Sequence, residues 1–313
     1  MNTATAVILE KPEQLKLGRL DLTDPVAGDV VVDIEWSGIS TGTERLLWTG
    51  KMPSFPGMGY PLVPGYESVG KIVALGPETE RDIGETVYIP GARCYGEVRG
   101  LFGGASSRVV VPSGSAAKVD SGLGEEGALM ALAATAFHAL ATDGAKLPGL
   151  IIGHGVLGRL LARIAVALGG APTVWETNAG RRDGAIGYDV VDPADDDHHD
   201  YKSIYDVSGD VGLLDTLISR LAPGGEVVLA GFYAAPLSFA FPPAFMKEAR
   251  LRVAAEWKPN DLTAVIKMIS DRQLSLAGLI THRVDATHAD SAYRTAFDDA
   301  ECLKMILDWR AFS

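Results

Sequence analysis

The chain has 313 residues, long enough for two domains, and is 47% hydrophobic and 22% charged with 36 Gly, which is a globular rather than a disordered composition. Its formal charge of −12 repels phosphate backbones and anionic lipid heads, so nucleic acid and membrane surfaces are poor partners. Cys94 and Cys302 lie too far apart to build a disulfide framework or a cysteine-based zinc motif, Met1–Ala6 lacks the basic flank and apolar run of a signal peptide, and no apolar stretch approaches about 18 residues, so a cytoplasmic protein without integral membrane contact is expected.

Residues 1–125 carry short β-type runs between Gly and Pro: Val30–Trp36, Val69–Leu75, Thr86–Ile89 and Ser107–Val111. Strands this short, punctuated by turns, predict a small β-barrel. From 126 to 255 the pattern changes to alternating strands and helices. The helices are expected at Glu126–Leu140, Arg159–Leu168 and Leu213–Leu221. The strands are expected at Leu150–Ile152, Thr173–Trp175, Ser203–Val207 and Glu226–Ala230. This alternation predicts a doubly wound parallel sheet, an α/β domain. From 256 to 313, amphipathic helices at Leu262–Asp271 and Ala289–Ala300 frame a strand at Leu279–Arg283, with a last strand at Met305–Trp309. This tail is too small to fold alone, so it is expected to complete the first domain.

The clearest motif is Gly153-His154-Gly155-Val156-Leu157-Gly158, which directly follows an apolar strand and opens a helix, with Glu176 ending the next strand 23 residues after Gly153. In that setting Gly153 permits the tight turn, Gly155 lets backbone approach a pyrophosphate, and Gly158 allows close helix–strand packing. The helix N-terminus offers unpaired N–H groups, at Val156 and Leu157 among them, and a partial positive charge to the phosphates. Glu176 at the strand end accepts hydrogen bonds from ribose hydroxyls and repels a 2′-phosphate, which favours NAD over NADP. Arg181 and Arg182 weaken that preference, since either can meet a phosphate. Ser208 and Gly231, after the later strands, are further expected cofactor contacts.

Over essentially its whole length the chain resembles the medium-chain dehydrogenase/reductase superfamily. The matching pieces, in the family's order, are Ser37-Gly38-Ile39-Ser40-Thr41-Gly42-Thr43-Glu44, Val63-Pro64-Gly65-Tyr66-Glu67-Ser68-Val69-Gly70, the glycine fingerprint, Asp206-Val207-Ser208-Gly209 and Leu279–Arg283. The resemblance implies a GroES-like β-barrel as catalytic domain (1–125 and 256–313), a Rossmann domain (126–255), an active-site cleft between them and, as is common there, a homodimer. It also shows what this chain lacks. The Cys, His and Cys that bind catalytic zinc in that family fall at Ser40 or Thr41, at Tyr66 and near Ala131, and the structural-zinc cysteines are missing. Hydroxyls and a methyl are not zinc ligands, so no metal is expected. A narrower likeness, to the bacteriochlorophyllide a dehydrogenases, rests on Thr41–Gly50, Phe55–Glu67, Pro90–Tyr95 and Gly100–Gly104. It implies oxidation of the 3-(1-hydroxyethyl) group of a chlorin or bacteriochlorin to 3-acetyl.

A planar pigment needs a wide apolar wall, and Trp48, Phe55, Met58 and Tyr60, with Met52, lie in a Gly/Pro-bent loop beside the catalytic segment. Packing of that loop on its own core is the competing reading. Tyr66 is the first candidate for proton acceptor, on condition that neighbours lower its phenol from about 10. Thr43 is a candidate relay or a turn cap, and Glu67 a base, an orienter or a buried structural carboxylate. His138 either lines the cleft near nicotinamide or is a satisfied core histidine. His282 reads as a cap, and Asp195–Asp200 as a solvated loop rather than a metal cluster. Two rival functions stand beside the main one: a zinc-free quinone or enoyl reductase preferring NADPH, and a catalytically inactive cofactor-binding protein.

Overall fold

The computed structural model describes residues 3–312. By its contacts the chain divides into two units, one running as far as Ala131 and resuming at Leu279, the other spanning Leu132–Gly278.

The first unit is built from β-branched runs, several of them buried on consecutive residues, as at Val30–Val32 and Thr86–Ile89. An N-terminal hairpin, Thr3–Lys11 against Gln14–Asp21, joins Leu62–Val63 and Arg99–Gly100 in one sheet. The long strand Asp29–Ile39 organises the other. On one side it pairs with Ser68–Leu75; on the other it pairs first with Arg108–Pro112 and then with Met305–Asp308. Register shifts at Val31/Val32 and Ile34/Trp36 bend it between those partners. Val32, Ile34, Ile72, Val87, Val109 and Leu307 are fully buried in the resulting core. The return of the C-terminal strand puts Met305 opposite Ile39, which carries Lys304 to the end of the long strand.

The second unit holds a sheet of six parallel strands, in spatial order Asp189–Val191, Thr173–Trp175, Leu150–Ile152, Tyr201–Asp206, Leu221–Leu229 and Arg250–Val253. In sequence these are the third, second, first, fourth, fifth and sixth strands of the unit. The order reverses beside Leu150–Ile152, and dinucleotides bind at such a reversal. Among the described residues no helix is long and apolar enough to cross a membrane.

Some expected boundaries move. The expected helix Glu126–Leu140 starts as a 3-10 segment, Ser121–Leu129, broken by Gly124 at φ +50°; the α-helix runs only from Met130 to Ala141. The strand expected at Leu279–Arg283 lies at His282–Asp285, where it pairs in parallel with Met305–Asp308. Residues 256–278, expected with the barrel, belong to the parallel-sheet unit. Two anchors hold them there. Arg163 donates to the carbonyls of Ser275 (2.9 Å) and Ala277 (3.0 Å), and Asp261 meets His138 at 2.8 Å.

Candidate functional site

In the barrel unit, the turn Ser40–Gly42 feeds the short helix Thr43–Thr49. Glu44, in its first turn and 1% exposed, reaches back to accept the Ser40 N–H (3.1 Å) and also accepts the Tyr293 hydroxyl (2.6 Å). Burial raises this carboxyl to about 7 against the pull of Tyr293, with the charge of Glu67 adding to the rise and Lys304 opposing it. Glu44 closes the Ser37–Glu44 motif, but no local signal in the sequence marks it, because Tyr293 and Lys304 reach it from the other end of the chain.

Tyr66 stands beside this turn, its hydroxyl 2.6 Å from Ser40 Oγ and also bonded to Thr43. Its ring meets Phe102 edge to face at 5.6 Å. Ser40, and not the exposed Thr41, is thus the residue that faces Tyr66. Burial, then the charge of Glu67, pushes the Tyr66 phenol well above its ordinary range, against the help of Ser40 and Thr43. This is opposite to the lowering that a phenolate base requires, so the expected base role is corrected: at neutral pH Tyr66 is a neutral phenol, able to donate or pass a proton.

Glu67 is fully buried and pairs with Lys304, Oε2 to Nζ 2.7 Å; Lys304, 2% exposed, also donates to the Ile39 carbonyl at 3.1 Å. The close approach depends on Gly38, where a Cβ would stand 2.3 Å from Glu67 Oε2. Glu67 is thus committed to the ion pair through Oε2, while its buried Oε1 has no hydrogen-bond partner among the described residues. Lys304, 237 residues away in sequence, had no local signal that could have revealed it.

The zinc positions of the resembled family come out as a serine hydroxyl and a phenol in mutual contact, with Ala131 offering a methyl. Among the described residues no three His, Cys, Asp or Glu side chains are grouped to hold a metal ion. This donor set does not fit catalytic zinc, which takes thiolate, imidazole or carboxylate.

The expected pigment wall is largely core. Trp48 is 7% exposed, its ring 6.2 Å from Tyr293 and 6.1 Å from Phe297, with the Arg294 guanidinium 5.2 Å above it. The Tyr60 hydroxyl donates to the Leu47 carbonyl, and Tyr60, Met52 and Met58 lie half-buried on the same core. Of the expected wall only Phe55 is exposed.

In the parallel-sheet unit, His138 Nδ1 lies 2.8 Å from Asp261 Oδ2, an oxygen that also caps the helix Pro259–Ser270 by accepting the Lys258 N–H at 2.7 Å. His138 is thus tied into a helix cap, and the catalytic reading gives way to the core one.

The glycine loop has the geometry its sequence predicts. Gly153 sits at φ +100°, a conformation that favours glycine, and its N–H donates to the Trp175 carbonyl at 2.9 Å. A Cβ on Gly158 would stand 1.9 Å from the Gly153 carbonyl oxygen, whereas one on Gly155 would meet nothing within 4 Å. The helix Val156–Ala167 begins at Gly155 with no side-chain cap, so the first-turn N–H groups at Val156 and Leu157 face no capping side chain. Ser208 is held by Asp206 through its N–H (2.9 Å) and hydroxyl (2.7 Å); its Cα would lie 3.5 Å from a Cβ on Gly153. Gly231 lies against Val207 and Gly209. The loop, Ser208 and Gly231 therefore gather at the C-terminal ends of adjacent strands.

Glu176 accepts the His154 N–H on Oε2 (3.1 Å) and the Asn178 N–H on Oε1 (2.8 Å). Arg182 donates to the Glu176 carbonyl (2.9 Å) and to Asp192, so it is committed to its own turn. The Arg181 carbonyl accepts from His154 Nδ1 (2.6 Å) and Arg159 (2.9 Å). His154 itself is fully buried, and burial lowers its imidazole to about 4. It occupies a variable position of the fingerprint, which is why sequence reasoning passed over it.

The GroES-like domain of alcohol dehydrogenases matches residues 26–121. A crystal structure of a short chain alcohol dehydrogenase from Escherichia coli CFT073, complexed with NADH, superimposes with a TM-score of 0.83 at 21% identity, covering 98% of this chain and 100% of that one. The 2-desacetyl-2-hydroxyethyl bacteriochlorophyllide A dehydrogenase of Rhodobacter capsulatus is 60% identical over 97% of this chain and 98% of its own. Its counterpart in Cereibacter sphaeroides is 58% identical over 98% of each chain. At that identity over nearly the whole chain, the chain belongs to the bacteriochlorophyllide A dehydrogenase family of medium-chain dehydrogenases.

Proposed function

We propose that this chain oxidises the hydroxyethyl substituent of a bacteriochlorophyllide-type ring to acetyl, with NAD as hydride acceptor and without zinc. The reaction converts a secondary alcohol and NAD⁺ into a ketone, NADH and a proton. The observation that carries this reading is the 60% identity to the Rhodobacter capsulatus enzyme over 97% of the chain.

The dinucleotide, when bound, supplies the hydride acceptor. Gly153, Gly155 and Gly158 leave room for its pyrophosphate, the Val156 and Leu157 N–H groups bind it, and Glu176 receives the adenosine ribose hydroxyls. Ser208 and Gly231 close the pocket on the neighbouring strand ends. In the barrel unit, Ser40, Thr43 and Tyr66 hydrogen-bond the substrate hydroxyl and move its proton. A strong base is not required of them. Hydride loss from a carbinol attached to a conjugated ring leaves a protonated ketone, which is a strong acid, and a hydroxyl relay accepts that proton readily. Glu67 and Lys304 hold the segment that carries Tyr66. Phe55, with half-buried Met58, is the part of the 48–60 loop left to face a pigment.

The test mixes the protein with NAD and a hydroxyethyl bacteriochlorophyllide and follows the pigment's long-wavelength band together with NADH absorbance. Both change if the proposal holds. Tight NAD binding with neither change would turn the reading toward an inactive cofactor-binding protein.

A further inference from the structure

The second residue of the glycine fingerprint turns its side chain inward. His154 lies between the Arg181 carbonyl (Nδ1, 2.6 Å) and the Tyr188 hydroxyl (Nε2, 2.8 Å), with the Tyr188 ring edge-on at 5.6 Å. A carbonyl only accepts, so Nδ1 carries the hydrogen, Nε2 accepts, and Tyr188 donates. Arg159, from the following helix, joins the same knot by donating to the carbonyls of His154 (3.0 Å) and Arg181 (2.9 Å). Burial that holds the imidazole near 4 keeps it in this one neutral tautomer across the working range.

The backbone of the same residue acts on the other side. The His154 N–H takes one lone pair of Glu176 Oε2, and the Asn178 N–H takes one of Oε1. An ionised carboxylate offers about four acceptor sites, so about one per oxygen is left, the number a ribose diol fills. The turn from Asn178 to Arg182 is pinned at its first residue by Glu176 and at the Arg181 carbonyl by His154 and Arg159.

We propose that His154 is a specificity-positioning residue for the coenzyme: its side chain fixes the Arg181 turn while its N–H aims the Glu176 carboxylate at the adenosine ribose diol. This rests on the reading that the loop binds NAD. Releasing the turn frees Glu176 to reorient and Arg181 to approach a 2′-phosphate, so discrimination between the two coenzymes is what His154 controls.

The experiment titrates NADH and NADPH fluorescence with the full-length chain and its His154→Leu, His154→Asn and Tyr188→Phe variants. In His154→Leu, NADH affinity falls roughly tenfold and NADPH affinity changes by less than about twofold, so the ratio narrows. The Asn amide N–H replaces Nδ1–H, so His154→Asn recovers most of the preference, and Tyr188→Phe loses a few-fold. A purely structural role would weaken both coenzymes by one factor; that result, or His154→Asn matching His154→Leu, overturns the proposal. Should His154→Leu not fold, an unchanged ratio in Tyr188→Phe overturns it equally. Wild-type chain that prefers NADPH would refute the NAD reading itself, while the variants' shift from the wild-type ratio still judges His154.

Discussion

The glycine loop and the barrel's polar cluster are two kinds of site. In the loop the work is done by backbone: six consecutive residues, Gly153 to Gly158, set a positive φ, a close contact and a row of N–H groups. In the barrel it is done by side chains gathered from afar, Glu44 with Tyr293 across 249 residues and Glu67 with Lys304 across 237. The loop's chemistry is polar, and the buried charge beside it, that of Arg159, is satisfied by backbone carbonyls. The barrel cluster buries three ionisable groups, Glu44, Glu67 and Lys304, in an apolar shell, so its members' protonation depends on one another.

That contrast can be broken by mutation, most strongly at the buried pair. Lys304→Met leaves Glu67 buried without its cation and should cost about 3–5 kcal/mol of unfolding free energy, read by denaturant titration; adding Glu67→Gln should restore much of it. If Lys304→Met alone were neutral, the pair would not be holding the Tyr66 segment. Tyr66→Phe removes a relay hydroxyl and is expected to lower kcat by roughly 10²-fold, with NADH affinity unchanged in fluorescence titration. A near-normal rate would take Tyr66 out of the proton path. In the loop, Gly158→Ala forces a methyl against the Gly153 carbonyl, where the Cβ would stand at 1.9 Å. Such overpacking costs roughly 1–3 kcal/mol, so NADH binding should weaken about tenfold or more while the barrel cluster is untouched.

A fourth effect, spread over several pH units rather than read at one pH, concerns titration. Glu44 is raised from 4.5 to about 7, so the folded chain keeps a proton that the unfolded chain releases above 4.5. The folded state binds more protons in that window, and stability from this group declines as pH rises from about 4.5 to 7. His154 has the opposite sign: lowered from 6.5 to about 4, it withdraws stability as pH falls through that range. The difference in Tm between Glu44→Gln and wild type should therefore grow in the variant's favour from pH 5 to 8. A pH-independent difference would mean that Glu44 is not the buried titrating group.

Several readings failed at the point where a distant segment decides. Trp48 reads from sequence as either a pocket wall or part of a loop packed on its own core; its fate is set by Tyr293 and Phe297, which close over it from the C-terminal helix. His138 reads from sequence as either a cleft residue or a satisfied core histidine, and it is Asp261 of the capped helix that meets it. The boundary at 256 failed for the same reason, since Arg163 and Asp261 bind the following segment to the parallel-sheet unit.

By itself the sequence determined the alternation of strands and helices and the conformation of the glycine loop, because each depends on residue type at short range: glycine for a left-handed turn, periodic apolar side chains for an element. Only the tertiary structure decided what Tyr66, Glu44 and His154 are. A phenol, a carboxyl and an imidazole take their protonation from burial and from the charges brought beside them, and those neighbours, Glu67, Lys304 and Arg159 among them, are assembled only by the folded chain.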